Sequence, residues 1–174
     1  MAGIDFVNFR NTDYSQLNAP TIILVEPQLG ENIGMAARAM LNCGLTDLRL
    51  VNPRDGWPND SAQAASAGAE QVINATKIFK NTQEAVADLN LVFATTARKR
   101  DMTNRILTPR KAALEMHDTL SALNGSVGVL FGPEAKGLKN EDVTQADAII
   151  MIPVNPLFSS LNLAQAVFVI GYEW

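Results

Sequence analysis

Short apolar runs alternate with helical patterns along most of this chain of 174 residues. The runs are rich in Val, Ile and Leu and mostly lack polar alternation, which is typical of strands covered on both faces in a parallel sheet. The alternation predicts an α/β fold with a mostly parallel sheet and helices on both of its faces. The predicted strands are Thr21–Glu26, Asp47–Val51, Leu91–Thr96, Val127–Phe131 and Asp147–Ile152, and the predicted helices cover residues 32–43, 61–69, 82–89, 109–123 and 159–173.

The composition indicates one domain with a substantial core, because 47% of the residues are hydrophobic and only 18% are charged. Residues 1–19 are polar, so we expect a loose arm ahead of a domain that spans 20–174. The longest apolar run, Ala148–Val154, is too short to cross a membrane, and the start of the chain lacks the apolar segment of a signal peptide. We therefore expect a soluble, cytoplasmic protein without membrane contact. The single cysteine, Cys43, excludes an internal disulfide and any multi-cysteine metal site, and we expect no metal.

The charge pattern combines an acidic chain with one basic segment. The formal net charge of −4 opposes binding of nucleic acid by bulk attraction. Between residues 98 and 111, however, Asp101 is the single acidic residue. This segment is either a solvated loop and helix start or a local phosphate-binding patch. Its cationic residues are Arg98, Lys99, Arg100, Arg105, Arg110 and Lys111.

Several common catalytic motifs are absent from the sequence. No G-x-G pair occurs, so the dinucleotide-binding fingerprint is missing. The segment from Gly132 to Gly137 begins like a P-loop, but Leu138 and Lys139 follow where Lys and Ser or Thr are required. The single histidine, His117, lies in an amphipathic helical pattern, where we expect a surface or packing role. These absences disfavour hydrolase, dehydrogenase and kinase chemistry.

In an open parallel sheet, ligands bind at the carboxyl ends of the strands, and three segments at such ends stand out. The first, Glu31–Arg38, opens a helix. Gly34 and Arg38 lie four residues apart on one helix face. Arg38 could therefore extend back over Gly34 toward the free N–H groups of the first turn, where an anion is favoured. The alternative is a glycine tolerated for packing beside a solvated arginine.

The second segment, Phe131–Leu138, runs from a strand directly into Gly-Pro. Such a sequence makes a sharp turn whose backbone can approach a ligand closely. We expect Glu134 at the rim of this turn and a positive φ at Gly137. The alternative is an ordinary strand-to-helix turn.

The third segment, Ile152–Asn162, leads into the final predicted helix. Ser159 or Ser160 is the expected N-cap of that helix. The helix is apolar nearly all round, which is typical of a helix buried within a domain or against a second subunit. Its position at the end of the chain favours a subunit interface.

The three segments together carry a specific set of residues in a fixed order. From about residue 20 to the end, these motifs resemble those of the SpoU/TrmH family of SPOUT RNA 2′-O-methyltransferases, most closely its TrmJ-type tRNA branch. The residues that carry the resemblance are Asn32, Gly34 and Arg38, then Phe131, Gly132, Glu134, Gly137 and Leu138, then Ile152, Pro153, Ser159, Ser160, Leu161, Asn162, Tyr172 and Glu173.

The resemblance implies an α/β knot, in which the C-terminal segment threads through a loop as a deep trefoil knot. It also implies a homodimer, in agreement with the apolar C-terminal helix, and S-adenosylmethionine as the cofactor. The implied partner is RNA, a tRNA above all, methylated on the ribose 2′-OH of an anticodon-loop cytidine or uridine (tRNA position 32). By similarity, the cofactor contacts are Thr95, Thr96, Ala97, Gly132, Ile152, Ser159, Ser160 and Leu161.

The resemblance also implies which residues act in catalysis and in RNA binding. The catalytic set is Arg38, Asn32, Glu134, Ser160 and Asn162. Because a guanidinium keeps its proton, we expect Arg38 to bind a substrate phosphate and polarise the 2′-oxygen, whose proton passes to solvent or phosphate. Asn32, Ser160 and Asn162 would fix Arg38 and the ribose by hydrogen bonds. The expected RNA contacts are Arg38, Arg54, Arg98, Lys99, Arg100, Arg105, Arg110 and Lys111.

Other functions stay open at the level of the sequence. A related enzyme of the same family could methylate another tRNA or rRNA ribose. A non-catalytic RNA-binding relative and an α/β nucleotide-dependent enzyme unrelated to RNA are further alternatives. TrmJ-like proteins usually continue past the Tyr-Glu pair, whereas this chain stops at Trp174. We expect a missing C-terminal extension to weaken independent affinity for tRNA.

Overall fold

The computed structural model describes residues 18–97, 105–122 and 124–174. The strands in this part of the chain are β1 (Thr21–Val25), β2 (Leu48–Val51), β3 (Lys77–Phe79), β4 (Leu91–Thr95), β5 (Arg105–Leu107), β6 (Val127–Phe131) and β7 (Ala148–Ile150). The helices are α1 (Gly30–Asn42), α2 (Asp60–Ser66), α3 (Glu70–Ala75), α4 (Thr82–Val86), α5 (Pro109–Ser121), α6 (Asn140–Val143) and α7 (Leu163–Glu173).

The strands form one sheet in the order β3-β2-β1-β6-β4-β7-β5, and every neighbouring pair is parallel. Each strand of the sheet's centre is buried on both faces. In β1, for example, Ile22 and Leu24 belong to one apolar cluster, and Ile23 and Val25 belong to the other. Helices α1, α2, α3, α5 and α7 cover the first face, and α4 and α6 cover the second. The predicted α/β fold with helices on both faces is confirmed, while the knot stays a prediction.

The five predicted strands correspond to β1, β2, β4, β6 and β7. Sequence patterns missed the edge strands β3 and β5, which have three residues each and are largely exposed. The short helices α3 and α6 were also missed. Elements of this size have too few apolar residues to give a periodic signal. The predicted arm lies outside the described residues except for its end, where the Asn18 amide donates to the carbonyls of Leu120 and Gly125.

Helix α1 packs closely against α2 at Gly34. A Cβ at this position would collide with the carbonyl oxygen of Ala62 and would lie 2.8 Å from the Cβ of Ala65. The hypothesis that Gly34 clears a path for the Arg38 side chain is therefore wrong, because the missing Cβ faces α2. The packing interpretation of this glycine is the correct one.

Helix α7 begins at Leu163, and neither Ser159 nor Ser160 is its N-cap. The cap is Asn162, whose Oδ1 accepts from the N–H of Ala164, while the Gln165 side chain accepts from the N–H of Asn162. This reciprocal arrangement is a capping box. The two serines are consequently left in the preceding loop.

One face of α7 packs in the core through Leu163, Val167 and Ile170. The other face is not buried within the chain, because Phe168 and Tyr172 are 42% and 74% exposed. Their rings lie 6.1 Å apart on the outer face of the helix. An apolar surface of this chain therefore runs along its last helix.

The single histidine and the single cysteine both have packing contacts. The exposed His117 ring stacks on Trp174 at 3.9 Å between ring centroids, and its Nε2 lies 2.9 Å from the Trp174 carbonyl oxygen. Cys43 packs against the core beside Gly171, and burial raises the pKa of its thiol. The His117 contact agrees with the surface or packing role expected from the sequence. No helix within residues 18–97, 105–122 and 124–174 has the length and apolar character to cross a membrane.

The close approach of α1 and α2 gives a stability test. Gly34→Ala should lower the free energy of unfolding by about 1–3 kcal/mol because the new methyl group meets backbone. Helix propensity alone predicts the opposite sign, since alanine is favoured over glycine by about 1 kcal/mol. Chemical denaturation measures the difference. The exposed Gln63→Ala in α2 is the control, with an expected change within about 0.5 kcal/mol; a Gly34→Ala variant as stable as the parent would contradict the packing.

Candidate functional site

A cavity of about 370 Å³ opens at the carboxyl ends of β4, β6 and β7. This is the position expected for a ligand site in a parallel α/β sheet. Its walls are the residues after β4, the turn after β6 and the segment between β7 and α7. All eight residues that the resemblance assigns to the cofactor line it, namely Thr95, Thr96, Ala97, Gly132, Ile152, Ser159, Ser160 and Leu161.

The turn after β6 is held tightly by backbone contacts. A Cβ at Gly132 would collide with the backbone of Leu138 and would lie 2.9 Å from the Cα of Gly137. Gly137 has a φ of +67°, in agreement with the prediction, and its N–H donates to the Pro133 carbonyl at 2.8 Å. The two glycines therefore let this turn fold back on itself beside the cavity.

The wall after β4 is tied to the neighbouring strands. The Thr95 hydroxyl donates to the Leu130 carbonyl at 2.8 Å, and the Thr96 N–H donates to the Ile150 carbonyl at 3.2 Å. The opposite wall carries apolar side chains from β7, the following loop and α7, among them Ile150, Val154 and Leu163. The cavity thus combines an apolar wall with polar groups at fixed positions, as small-molecule sites do.

A chain of hydrogen bonds links the three segments that the sequence singled out. The side-chain amide of Asn162 donates to the side-chain oxygen Oδ1 of Asn32 at 3.3 Å. The side-chain amide of Asn32 in turn donates to Glu134 Oε1 at 2.7 Å. The other carboxylate oxygen, Oε2, accepts from the N–H of Gln28 at 3.0 Å. Because an ionised carboxylate only accepts hydrogen bonds, Glu134 sets the orientation of the Asn32 side chain and thereby the direction of both side-chain hydrogen bonds. We call Glu134, Asn32 and Asn162 the amide relay.

Arg38 stands apart from the other predicted catalytic residues. Asn32, Glu134 and Asn162 are hydrogen-bonded to one another, and Ser160 lines the cavity. The Arg38 side chain is exposed and does not line the cavity. Among the described residues it has no ion-pair or hydrogen-bond partner. Six residues separate it from Asn32, which places it about 9 Å further along α1.

The basic segment is less positive than its sequence indicates. Arg105 forms a two-pronged ion pair with Glu115 at 2.9 and 3.1 Å, and Arg110 forms another with Glu173 at 2.9 and 3.2 Å. These hydrogen bonds raise the pKa of each arginine. Lys111 is exposed without an ion-pair partner in the described residues. Glu115 and Glu173, which lie outside this segment in sequence, therefore partly neutralise its positive charge in the fold.

Other predicted RNA contacts have different surroundings. Arg54 is exposed and pairs with Asp55 at 2.9 Å, a hydrogen bond that raises the pKa of Arg54 and lowers that of Asp55. Three of the predicted RNA contacts, Arg98, Lys99 and Arg100, lie outside the described residues. In the described parts of the chain, no group of three or more His, Cys, Asp or Glu residues is arranged to hold a metal ion.

Sequence reasoning missed several residues around the cavity. The backbone of Gln28 binds Glu134, and Lys136, Val154 and Ala166 line the cavity. Gln165 holds Asn162 in the capping box. The spacing of Asn162 and Gln165 was a usable signal for this box; the other positions carry no local pattern.

A parallel α/β sheet with this cavity at its carboxyl edge defines a small-molecule-binding domain, and comparisons with known proteins identify its family. The model of the SpoU rRNA Methylase family matches residues 19–172. The chain is 43% identical over 152 residues to the tRNA (cytidine/uridine-2′-O-)-methyltransferase TrmJ of Escherichia coli K12, covering 87% of this chain and 61% of TrmJ. It is 40% identical, with the same coverage, to a tRNA/rRNA methyltransferase of Haemophilus influenzae.

Solved structures agree with the family match. TrmJ from Z. mobilis ZM4 has 58% sequence identity and a TM-score of 0.84, covering 90% of this chain and 68% of that one. A protein studied for the 2-OH methylation of C/U34 on tRNA has 25% identity and a TM-score of 0.67, covering 88% and 91%. The chain belongs to the SpoU methylase family. It spans about three fifths of the length of the curated relatives that it matches.

The amide relay gives a test of the role of Glu134. Glu134→Gln places an amide where two donors, the Asn32 side chain and the Gln28 N–H, need acceptors. One of the two hydrogen bonds is lost, and we expect the free energy of unfolding to fall by about 1–3 kcal/mol. Thermal and chemical denaturation measure this change. Glu31→Gln, an exposed glutamate in the first turn of α1, is the matched control; equal stability of the two variants would contradict the relay.

Proposed function

We propose that this chain is the cofactor-binding, catalytic domain of a tRNA ribose 2′-O-methyltransferase with S-adenosylmethionine as its methyl donor. The observation that carries the proposal is the amide relay, which joins all three motif segments beside the cavity. Relatives named as tRNA 2′-O-methyltransferases at 40–43% identity support it. The activity is a proposal because the chain matches only part of those relatives. A cytoplasmic location and the trefoil knot belong to the same proposal.

The donor set of the cavity fits S-adenosylmethionine. The apolar side chains of Ile152, Val154 and Leu161 suit an adenine ring, and the backbone of the 95–97 segment and of Gly132 offers polar groups around it. A cavity of about 370 Å³ is within the usual range for a ligand of this size, roughly 300–1,000 Å³. When bound, the cofactor supplies an electrophilic methyl group on a sulfonium.

The chain's own residues would position the ribose rather than remove its proton. Both oxygens of Glu134 already accept hydrogen bonds, so we assign Glu134 a positioning role. Ser160, which lines the cavity, and the Asn162 amide would orient a ribose hydroxyl, and this orientation is the main requirement of an in-line displacement. As a forked cationic donor, Arg38 would bind a substrate phosphate and polarise the 2′-oxygen. The released proton then passes to solvent or to that phosphate.

The position of Arg38 supports a dimer with a composite site. None of the described residues that line the cavity carries a guanidinium, while Arg38 lies on the exposed stripe of α1 with Met35. Phe168 and Tyr172 expose apolar surface on α7, which packs beside α1. We propose that two copies associate through α7 and that Arg38 of each copy completes the cavity of the other. Apolar surface of this kind is typical of subunit interfaces.

The proposed substrate is an anticodon-loop ribose. Similarity to the TrmJ relatives favours a cytidine or uridine at tRNA position 32. The solved structure of the protein studied for methylation of C/U34 on tRNA gives position 34, in the same loop, as a second candidate. Mapping of ribose methylation on tRNA from cells with and without the gene distinguishes the two. Methylation confined to rRNA would contradict the proposed substrate.

Arg38 gives the central test of the activity. Arg38→Ala should abolish methyl transfer to tRNA, because the phosphate contact and the polarising charge are lost together. The affinity for S-adenosylmethionine, measured by calorimetry, should stay within about threefold, since the proposal assigns Arg38 to the substrate phosphate and not to the cofactor. Arg38→Lys, which keeps the charge but not the forked geometry, should retain a small part of the activity. Full activity of Arg38→Ala would defeat the assignment.

Mixed dimers extend the same test to the composite site. Ser160→Trp should block the cavity of its own chain, and Arg38→Ala should fail to complete the cavity of its partner. A refolded equal mixture of these two inactive variants should recover on the order of a quarter of the parent activity, because half of the dimers then contain one intact site. A mixture without recovered activity would show that Arg38 acts in its own chain.

Binding of tRNA should fall steeply with salt if the basic residues contact phosphates. Lys111→Ala should lower the log–log slope of affinity against salt concentration by about one. Lys80→Ala is the matched control, because the exposed Lys80 follows β3 at the opposite edge of the sheet from β5 and α5. Filter binding at several salt concentrations measures the slopes. Equal slopes for the two variants would remove Lys111 from the RNA surface.

A further inference from the structure

The cavity contains one charge that the proposed mechanism does not use. Of the residues that line it, Glu134 and Lys136 carry charged side chains, and both lie in the turn after β6. The Glu134 carboxylate is engaged by Asn32 and by the Gln28 N–H. Lys136 is exposed, and among the described residues its ammonium has no ion-pair partner. The described lining of the cavity therefore includes an exposed cation that has no ion-pair partner among the described residues.

The two charged residues distinguish the turn after β6 from the rest of the described cavity lining. The wall formed by Ile150, Val154 and Leu163 is apolar, and it suits a ring rather than a charged group. The turn at 133–137 places a carboxylate and an ammonium two residues apart. A carboxylate has about four acceptor positions, and Glu134 uses two of them. This turn therefore matches a zwitterion, with an anionic group toward Lys136.

We propose that Lys136 binds the α-carboxylate of the amino-acid end of the methyl donor. The inference rests on the proposed function and adds to it a recognition residue for one group of the cofactor. The α-carboxylate is the one anionic group of S-adenosylmethionine. A lysine carries a compact charge on a flexible side chain, so it can pair with a carboxylate without a fixed geometry. The fixed backbone of the turn, closed by Gly132 and Gly137, sets the position from which the lysine extends.

The experiment pairs one substitution in the protein with one deletion in the ligand. Lys136→Gln keeps a polar hydrogen-bonding side chain and removes its charge. We expect a loss of about fivefold in affinity for S-adenosylmethionine, the size of a solvent-screened charge-assisted hydrogen bond. Decarboxylated S-adenosylmethionine should bind the parent and Lys136→Gln equally. Lys80→Gln, the same charge change away from the cavity, should leave both affinities within about twofold. Calorimetry measures all six affinities.

Two outcomes would overturn the inference while leaving the proposed function intact. The first is unchanged binding of S-adenosylmethionine by Lys136→Gln, including the case in which that variant loses affinity for tRNA instead, which would assign the lysine to an RNA phosphate. The second is an equal loss for both ligands, which would mean that Lys136 acts on a part of the cavity other than the carboxylate. Failure of the parent protein to bind S-adenosylmethionine would overturn the proposed function together with the inference.

Discussion

The bond between the Asn32 amide and the Glu134 carboxylate, 2.7 Å long, is the contact on which the site depends. It joins the first turn of α1 to the turn after β6, segments that are 102 residues apart in sequence. The carboxylate also holds the backbone after β1, and Asn32 passes the connection on to Asn162 at the start of α7. Removing any member leaves a polar group that is at least partly buried without a partner, which is costly. A single acidic side chain therefore fixes the relative positions of three elements that follow different strands.

The parallel sheet makes this convergence possible. Because all strands run in one direction, the residues after β1, β4, β6 and β7 emerge at the same edge. The central strands are buried on both faces mainly by apolar side chains. Polar residues of the relay and the cavity are thereby confined to that edge. The core fixes where the segments begin, and the relay fixes how they are oriented relative to one another.

The sequence was sufficient to predict the central strands, because burial on both faces gives long apolar runs. It also predicted that the segments after these strands meet, because the strand ends of a parallel sheet share one edge. It was insufficient where a contact joins distant residues. The pairing of Arg110 with Glu173 across 63 residues, and of Arg105 with Glu115, changed the interpretation of the basic segment. Gly34 was assigned to the wrong neighbour because helix periodicity shows which residues share a face but not which element covers it. The edge strands β3 and β5 were not predicted, because exposed strands of three residues have too few apolar residues to show a periodic pattern.

Helix α1 links the relay to Arg38 mechanically. Asn32 holds the beginning of this helix in the site of its own chain, and Gly34 locks the next turn against α2. A helix anchored at both points moves as a rigid body, so the orientation of Arg38 is set by contacts that Arg38 does not make. In the proposed dimer, the relay of one copy would then position the guanidinium that serves the other. Disturbing Glu134 should in that case act on both sites, on its own cavity through Asn162 and on the partner's cavity through α1.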